Sequence, residues 1–270
     1  MSQETQQNDM TKKRVVIELP GMDDVMIRRD LEYQRSEAGA LTFDLYTPPG
    51  VQSDARLPAV VFVTGYSDPG FQRMLGCRLK EMGSYVSWGQ LTAASGLVAI
   101  TYSAVDPAND VNALLDYLRQ HAAELGIDEQ QIGVWACSGN VPNALAVLMQ
   151  QRDELRCAVL CYGLMLDTAG SANVAEAARM FGFANPGAGR TVSDLPANLP
   201  LLIVRAGQDN PQLNETIDSF IKDALACNLP VTFINHPTAP HAFDVLDDSA
   251  TSREIIRQML NFMRFHLLSV

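Results

Sequence analysis

The chain has 270 residues, of which 47% are hydrophobic, 19% charged and 7% aromatic. That composition suits a globular protein with a large core and excludes a disordered or fibrous one. Twenty Lys and Arg stand against 31 Asp and Glu, a net charge of −11, which repels phosphate backbones and argues against nucleic acid or an anionic membrane as partner, so a small neutral or weakly charged ligand fits better.

The opening residues, 1–12, read as a polar tail with no apolar run behind them, so neither a secretory signal nor a membrane anchor is expected. No stretch approaches the roughly 18 apolar residues that span a bilayer. Cys77, Cys137, Cys157, Cys161 and Cys227 have no metal-binding spacing and are odd in number, which points to reduced thiols and to the cytoplasm as the default compartment.

Residues 13–270 are expected to form a single domain. Arg14 to Leu19, Val25 to Tyr33 and Leu41 to Tyr46 alternate apolar and polar side chains, the pattern of half-buried antiparallel strands at a sheet edge. From Pro58 onward the texture changes to short continuous apolar runs, at Ala59–Val63, Gly96–Thr101, Ile132–Ala136, Cys157–Tyr162, Leu201–Ala206 and Val231–Asn235. Such runs suit parallel strands covered on both faces.

Four amphipathic helical stripes fall between or after these runs. One carries Val111, Leu114, Leu115, Leu118 and Ala122, with Asp106 or Asn109 as its cap and Pro107 in its first turn. The others carry Val141, Ala144, Leu145 and Leu148; Leu213, Ile217, Phe220, Ile221 and Ala224; and Ile256, Met259, Leu260, Met263 and Leu267. Strands alternating with helices imply right-handed crossovers and an α/β three-layer sandwich. A glycine-containing excursion over 167–199, with a helical patch at Val174–Phe181, interrupts the alternation and reads as a lid or binding loop.

The run from Ile132 to Asn140 is an apolar strand passing through small residues directly into a helix, the context of a nucleophile elbow at Ser138. Ala136 is small enough for the crowded position two residues before the serine, whereas Asn140 stands where a glycine is usual. Cys137 is a rival nucleophile, but an elbow centred on it would put Trp135 in the crowded position, and consecutive strand side chains face opposite ways. The remaining reading of Ser138 is a simple helix cap.

A serine nucleophile needs an imidazole to take its proton and a carboxylate to orient that imidazole. Asp209 lies just past the Leu201–Ala206 strand, at the edge where Ser138 should emerge. Of the four histidines, His121 and His266 fall within helical patterns and His236 ends a strand. His241, in the loop beyond, is the base this spacing favours, with His236 as its neighbour. The resulting order Ser138, Asp209, His241 is the chain order of α/β-hydrolases. The Gly139 N–H and the backbone N–H of Tyr66, after Gly65 in the turn following Ala59–Val63, are the expected oxyanion donors.

Asp44-Leu-Tyr-Thr-Pro-Pro, Leu57-Pro-Ala-Val-Val-Phe-Val-Thr-Gly, the elbow, Pro200 to Asp209, and Pro240-His-Ala-Phe-Asp244 together resemble the α/β-hydrolase superfamily, on the side of its dienelactone-hydrolase and prolyl-oligopeptidase-like esterases. The resemblance runs from about Leu41 to near the end of the chain. It implies a mostly parallel, roughly eight-stranded sheet, no metal or organic cofactor, and hydrolysis of a small-molecule carboxylic ester, lactone or related acyl bond. Matching motif positions make Ser138 the nucleophile, Asp209 the acid and His241 the base, with Tyr66 and Gly139 as oxyanion donors. Thr64 stands where that family commonly has histidine, Asn140 replaces the last elbow glycine, and Ser138 stands where dienelactone hydrolases have cysteine. Two other readings share these residues: a peptidase or amidase, and a ligand-binding protein that keeps the fold without turnover.

Overall fold

A computed structural model describes residues 9–36, 39–52, 54–168 and 170–268. The first eight residues of the expected polar tail lie outside them, and Met10–Lys12 form a 3-10 turn capped by the Asp9 carboxylate. In chain order the elements are β1 (Met26–Ser36), β2 (Gly39–Thr47), β3 (Leu57–Phe62), α1 (Asp68–Leu75), α2 (Gly83–Ala94) and β4 (Val98–Tyr102). Then come α3 (Pro107–Gln120), α4 (Ala122–Leu125), β5 (Ile127–Cys137), α5 (Val141–Leu148), β6 (Leu155–Cys161) and α6 (Asn173–Phe181). The chain continues through β7 (Leu201–Ala206), α7 (Pro211–Ala226), β8 (Val231–His236), α8 (Phe243–Leu246) and α9 (Ala250–Leu268).

Eight strands make one sheet in the order β1-β2-β4-β3-β5-β6-β7-β8. β1 and β2 are antiparallel to each other, and β2 is antiparallel to β4. From β4 through β8 every neighbouring pair is parallel. This is the expected mostly parallel sheet, and β3 to β7 are buried on both faces along their apolar runs, whereas β8, expected to be covered like them, is the edge strand and leaves Phe233 42% exposed.

Strand parity divides the interior in two. On β3, Ala59 and Val61 join a core with Val111 and Leu114 of α3, Val141 of α5 and Ile217 of α7. Val60 and Phe62 point the other way, into a core with Trp88 and Leu91 of α2 and Ile256 and Met259 of α9. The four expected helical stripes are therefore α3, α5, α7 and α9, placed on the two faces of the sheet.

One expected strand does not form. Arg14 to Leu19 joins no strand. Its alternation arises because Val15 and Ile17 are buried in the α2 and α9 core, while the Val15 N–H donates to Ser87 Oγ (3.0 Å) and the Val16 N–H to the Asp244 carbonyl (2.8 Å). After β3 the chain forms α1, whose N-cap Ser67 accepts from the Gly70 N–H at 3.3 Å. At α3 Asp106 is the N-cap residue and Pro107 sits in the first turn, as expected, but the Asp106 side chain makes no capping hydrogen bond and the Asp110 carboxylate folds back on the helix start instead. Its Oδ2 accepts from the N–H groups of Val105 and Asp106, both at 2.7 Å.

Candidate active site

In a parallel sheet every strand delivers its following loop to the same edge. β5 ends at Cys137 and Ser138 follows; β7 ends at Ala206 with Asp209 three residues on; β8 ends at His236 with His241 five residues on. The three side chains meet there. Ser138 Oγ lies 2.9 Å from His241 Nε2, and His241 Nδ1 lies 2.6 Å from Asp209 Oδ2. The Asp209 side chain is only 5% exposed and that of His241 is 41% exposed, so the carboxylate is sheltered while the imidazole stays open to solvent and ligand.

The loops that carry Asp209 and His241 are laced together. The Gly207 N–H donates to the His236 carbonyl at 2.8 Å, and the Gln208 N–H to the Ala239 carbonyl at 2.9 Å. The second carboxylate oxygen of Asp209 accepts from the Asn210 N–H at 2.7 Å, which leaves Oδ2 for the imidazole. His236 is buried at the end of β8 against Ser252 Oγ (3.0 Å) and Asp247, and takes the structural place beside His241.

Ser138 has φ = 55°. A left-handed serine at a strand-to-helix junction is strained, and such strain persists where surrounding structure enforces it. Here the enforcement is visible. The Gly65 N–H donates to Asn140 Oδ1 at 2.7 Å, and Asn140 Nδ2 donates to Tyr85 Oη at 2.8 Å. Asn143 Nδ2 donates to the carbonyls of Thr64 (2.7 Å) and Pro107 (2.8 Å). Asn140, unusual for this position in sequence terms, is the clamp between the elbow and the β3 loop.

Gly65 must be glycine for the same reason, since a Cβ there would sit 2.5 Å from the Gly139 carbonyl oxygen. The close approach brings Tyr66 over the elbow. A Cβ on Gly139 would lie 2.5 Å from the Tyr66 hydroxyl, and the Tyr66 N–H donates to Thr64 Oγ1 at 3.2 Å. Burial, and the nearby Cys137, push the Tyr66 phenol up to about 12, so it is a proton donor throughout the neutral range. The Gly139 N–H lies in the first turn at the head of α5, where helix geometry provides no internal acceptor.

Cys137 is buried, with Tyr85 Oη at 3.7 Å. Loss of hydration pushes its thiol up to about 12, which removes the thiolate a cysteine nucleophile needs. Tyr162, at the end of β6, packs edge-on against the His241 ring with centroids 5.0 Å apart. Its hydroxyl donates to Asp244 Oδ1 at 2.6 Å, while Trp88 Nε1 donates to Oδ2 at 2.7 Å. Neither Asn140, Tyr162 nor Asp244 carries a local signal of this role; the partners of Asp244 are 82 and 156 residues away.

Two adjoining cavities share Tyr66, Ser138 and His241. The larger, of about 400 Å3, is walled by Leu164, Leu213 and five residues of α6: Asn173, Glu176, Ala177, Met180 and Phe181. The 167–199 excursion thus shares a cavity with Ser138. Asp167 anchors its start by accepting from the N–H groups of Val174 (2.8 Å) and Ala175 (2.9 Å). Past α6, the Ala184 N–H donates to the Gly65 carbonyl at 2.7 Å, and Phe183 meets the Tyr66 ring with centroids 5.9 Å apart. The second cavity, of about 240 Å3, runs between α1, α2 and the segment after His241.

No protein family model matches the sequence, and no curated protein matches it. Solved structures do. An esterase from the planctomycete Thermogutta terrifontis is 20% identical, with a TM-score of 0.64 over 91% of this chain and 93% of that one. A thermostable esterase from Pseudomonas putida is 16% identical, with a TM-score of 0.69 over 94% of this chain and 86% of that one. A variant of an α/β hydrolase from the metagenome of Lake Arreo, Spain, is 16% identical, with a TM-score of 0.70 over 97% of this chain and 87% of that one. An eight-stranded sheet parallel from its third position onward, with helices on both faces, matches those neighbours: this chain has the α/β-hydrolase fold.

Proposed function

We propose that the protein is a serine hydrolase that cleaves carboxylic esters of small molecules through an acyl-enzyme on Ser138, with His241 as base and Asp209 as the acid that orients it. The observation that carries this reading is the continuous chain Ser138 Oγ, His241 Nε2, His241 Nδ1, Asp209 Oδ2, with steps of 2.9 and 2.6 Å, opening on a ligand-sized cavity. The solved neighbours lend support, because one Thermogutta terrifontis esterase structure has butyrate bound and another is phosphoramylated by tabun. Organophosphorus agents modify activated serine nucleophiles, and butyrate is a simple acyl product.

His241 Nε2 takes the Ser138 hydroxyl proton as Oγ attacks the acyl carbon, and Asp209 stabilises the imidazolium through Nδ1–H. The carbonyl oxygen becomes an oxyanion facing the Gly139 N–H and Tyr66. Of the two Tyr66 donors, the hydroxyl lies over Gly139 and is the freer, because the N–H already reaches Thr64 Oγ1. The carbon–oxygen bond to the leaving group then breaks as His241 returns the proton to the alcohol. A water molecule, deprotonated by His241, attacks the acyl-enzyme and releases the carboxylic acid and free Ser138. In this reading α6 and the rest of 167–199 form the wall of the larger chamber within a single domain, and tethering to Gly65 makes that wall a fixed binding surface.

The experiment is active-site labelling. A fluorophosphonate probe should modify the wild-type protein at one position, identified as Ser138 by peptide mass spectrometry, and Ser138→Ala should be unlabelled and inert toward p-nitrophenyl butyrate. Labelling that persists in Ser138→Ala, or hydrolysis at the wild-type rate, would overturn the assignment.

A further inference from the structure

The second cavity holds a buried carboxyl group with no lysine or arginine partner among the described residues, and His241 is the basic group whose charge acts on it. Asp244 is 2% exposed, and none of the ion pairs among the described residues includes it. Its two hydrogen bonds come from neutral donors, Tyr162 and Trp88, and each carboxylate oxygen retains further acceptor capacity. Burying a carboxylate without a cation is costly. Around it the cavity wall is apolar, with the rings of Phe71, Tyr85, Trp88, Trp135 and Tyr162 besides Tyr66, and aliphatic side chains such as Leu79 and Met82 between them. Rings of this kind attract cations through their quadrupoles.

The charge balance points the same way. Among the described residues, neither cavity is lined by a lysine or an arginine, whereas Asp209 and Glu176 line the larger one and Asp244 the smaller. With a chain carrying −11 overall, the field at the mouth draws cations in and turns anions away.

We propose that the smaller cavity receives a compact organic cation, an alkylammonium or tetraalkylammonium head that the substrate carries on one side of its scissile acyl bond. The head sits among the aromatic side chains and is neutralised by Asp244. Burial is the main influence raising the Asp244 carboxyl above its ordinary value, and a cation beside it offsets that cost. The substrate part of this inference rests on the hydrolase reading, but the cation site does not, since binding needs no turnover.

Trp88 and Trp135 are the two tryptophans of the sequence and both line the cavity, so intrinsic fluorescence reports occupancy directly. With full-length Ser138→Ala protein, choline should bind about tenfold more tightly than its neutral isostere 3,3-dimethylbutan-1-ol. Asp244→Asn, added to that background, should bring the two affinities together. Equal affinity for choline and the alcohol, or a cation preference that survives Asp244→Asn, would overturn the proposal. Should Asp244→Asn not fold, the comparison in Ser138→Ala protein decides alone. In wild-type protein, an acetate ester of choline should also exceed the 3,3-dimethylbutyl ester in kcat/KM by a similar factor. Loss of fluorophosphonate labelling with choline binding intact would sink the hydrolase reading and leave the cation site standing; labelling with no choline preference would do the reverse.

Discussion

Gly65 and Asn140, 75 residues apart, are joined by a hydrogen bond of 2.7 Å from the Gly65 N–H to Asn140 Oδ1. The bond ties the loop after β3 to the turn that holds Ser138, so the two halves of the proposed oxyanion site are held together. Asn140→Ala removes the acceptor for a buried N–H and the donor to Tyr85, and should cost about 1–3 kcal/mol of stability. It should also lower kcat/KM by at least about tenfold, because small displacements of positioning groups are expensive in rate. Asn140→Asp keeps the acceptor and should fall between. Denaturant melts and ester kinetics on the three proteins test this, and an alanine variant with full stability and rate would refute it.

The left-handed backbone of Ser138 gives a stability prediction separable from chemistry. Ser138→Ala and Ser138→Gly should both abolish turnover. The glycine variant should be more stable than the alanine variant by about 1 kcal/mol, because only alanine keeps a Cβ in that conformation. Urea unfolding of the two variants side by side measures the difference, and an alanine variant at least as stable as the glycine one would show the elbow to be unstrained.

Away from the site, Lys80 Nζ contacts Asp44 Oδ1 at 2.6 Å and Asp30 Oδ1 at 2.7 Å, with Lys80 and Asp44 both buried. Truncating Asp44 to alanine strands the ammonium with one exposed partner. The expected loss is about 3–5 kcal/mol, with turnover per folded molecule unchanged, since neither residue lines a cavity. Replacing the pair together, as Asp44→Leu with Lys80→Met, should recover most of that loss. Thermal melts of the single and double variants decide it.

Asp68 sets a pH dependence. Burial pushes its carboxyl up to about 6 from an ordinary value of 3.8, against the opposing pull of Arg78. The folded state therefore holds this proton more tightly than the unfolded state. The contribution to stability is full below about pH 4 and is lost as pH rises toward 6, the reverse of a carboxylate in a strong ion pair. Asp68→Asn should flatten that slope and be more stable than wild type at pH 7 by about 1–2 kcal/mol, after allowance for residual exposure. Urea midpoints from pH 4 to 7 should converge at the acid end and separate at the neutral end; parallel curves would contradict the assignment.

Much of this molecule is written locally. Unbroken apolar runs such as Leu201–Ala206 mark strands covered on both faces, and stripes such as Leu213, Ile217, Phe220 and Ala224 mark a helix with one buried side, because burial acts on residues a fixed period apart. The residues that follow those strands can be placed on one edge from chain order alone, which is why Ser138, Asp209 and His241 could be named together. Local pattern misleads where burial has another source. Val15 and Ile17 alternate like a strand but pack against α2 as an unpaired segment, and α2 itself shows no stripe because Tyr85, Ser87, Trp88, Leu91 and Thr92 bury nearly its whole circumference. Tertiary structure alone decided the rest. Whether Asn140 would clamp Gly65, whether α6 would wall the nucleophile's cavity, and whether Trp88 and Tyr162 would meet on Asp244 depend on contacts across long separations. Periodicity is set by the nearest turns of the chain, whereas a hydrogen bond across 156 residues exists only once the sheet has brought its loops together.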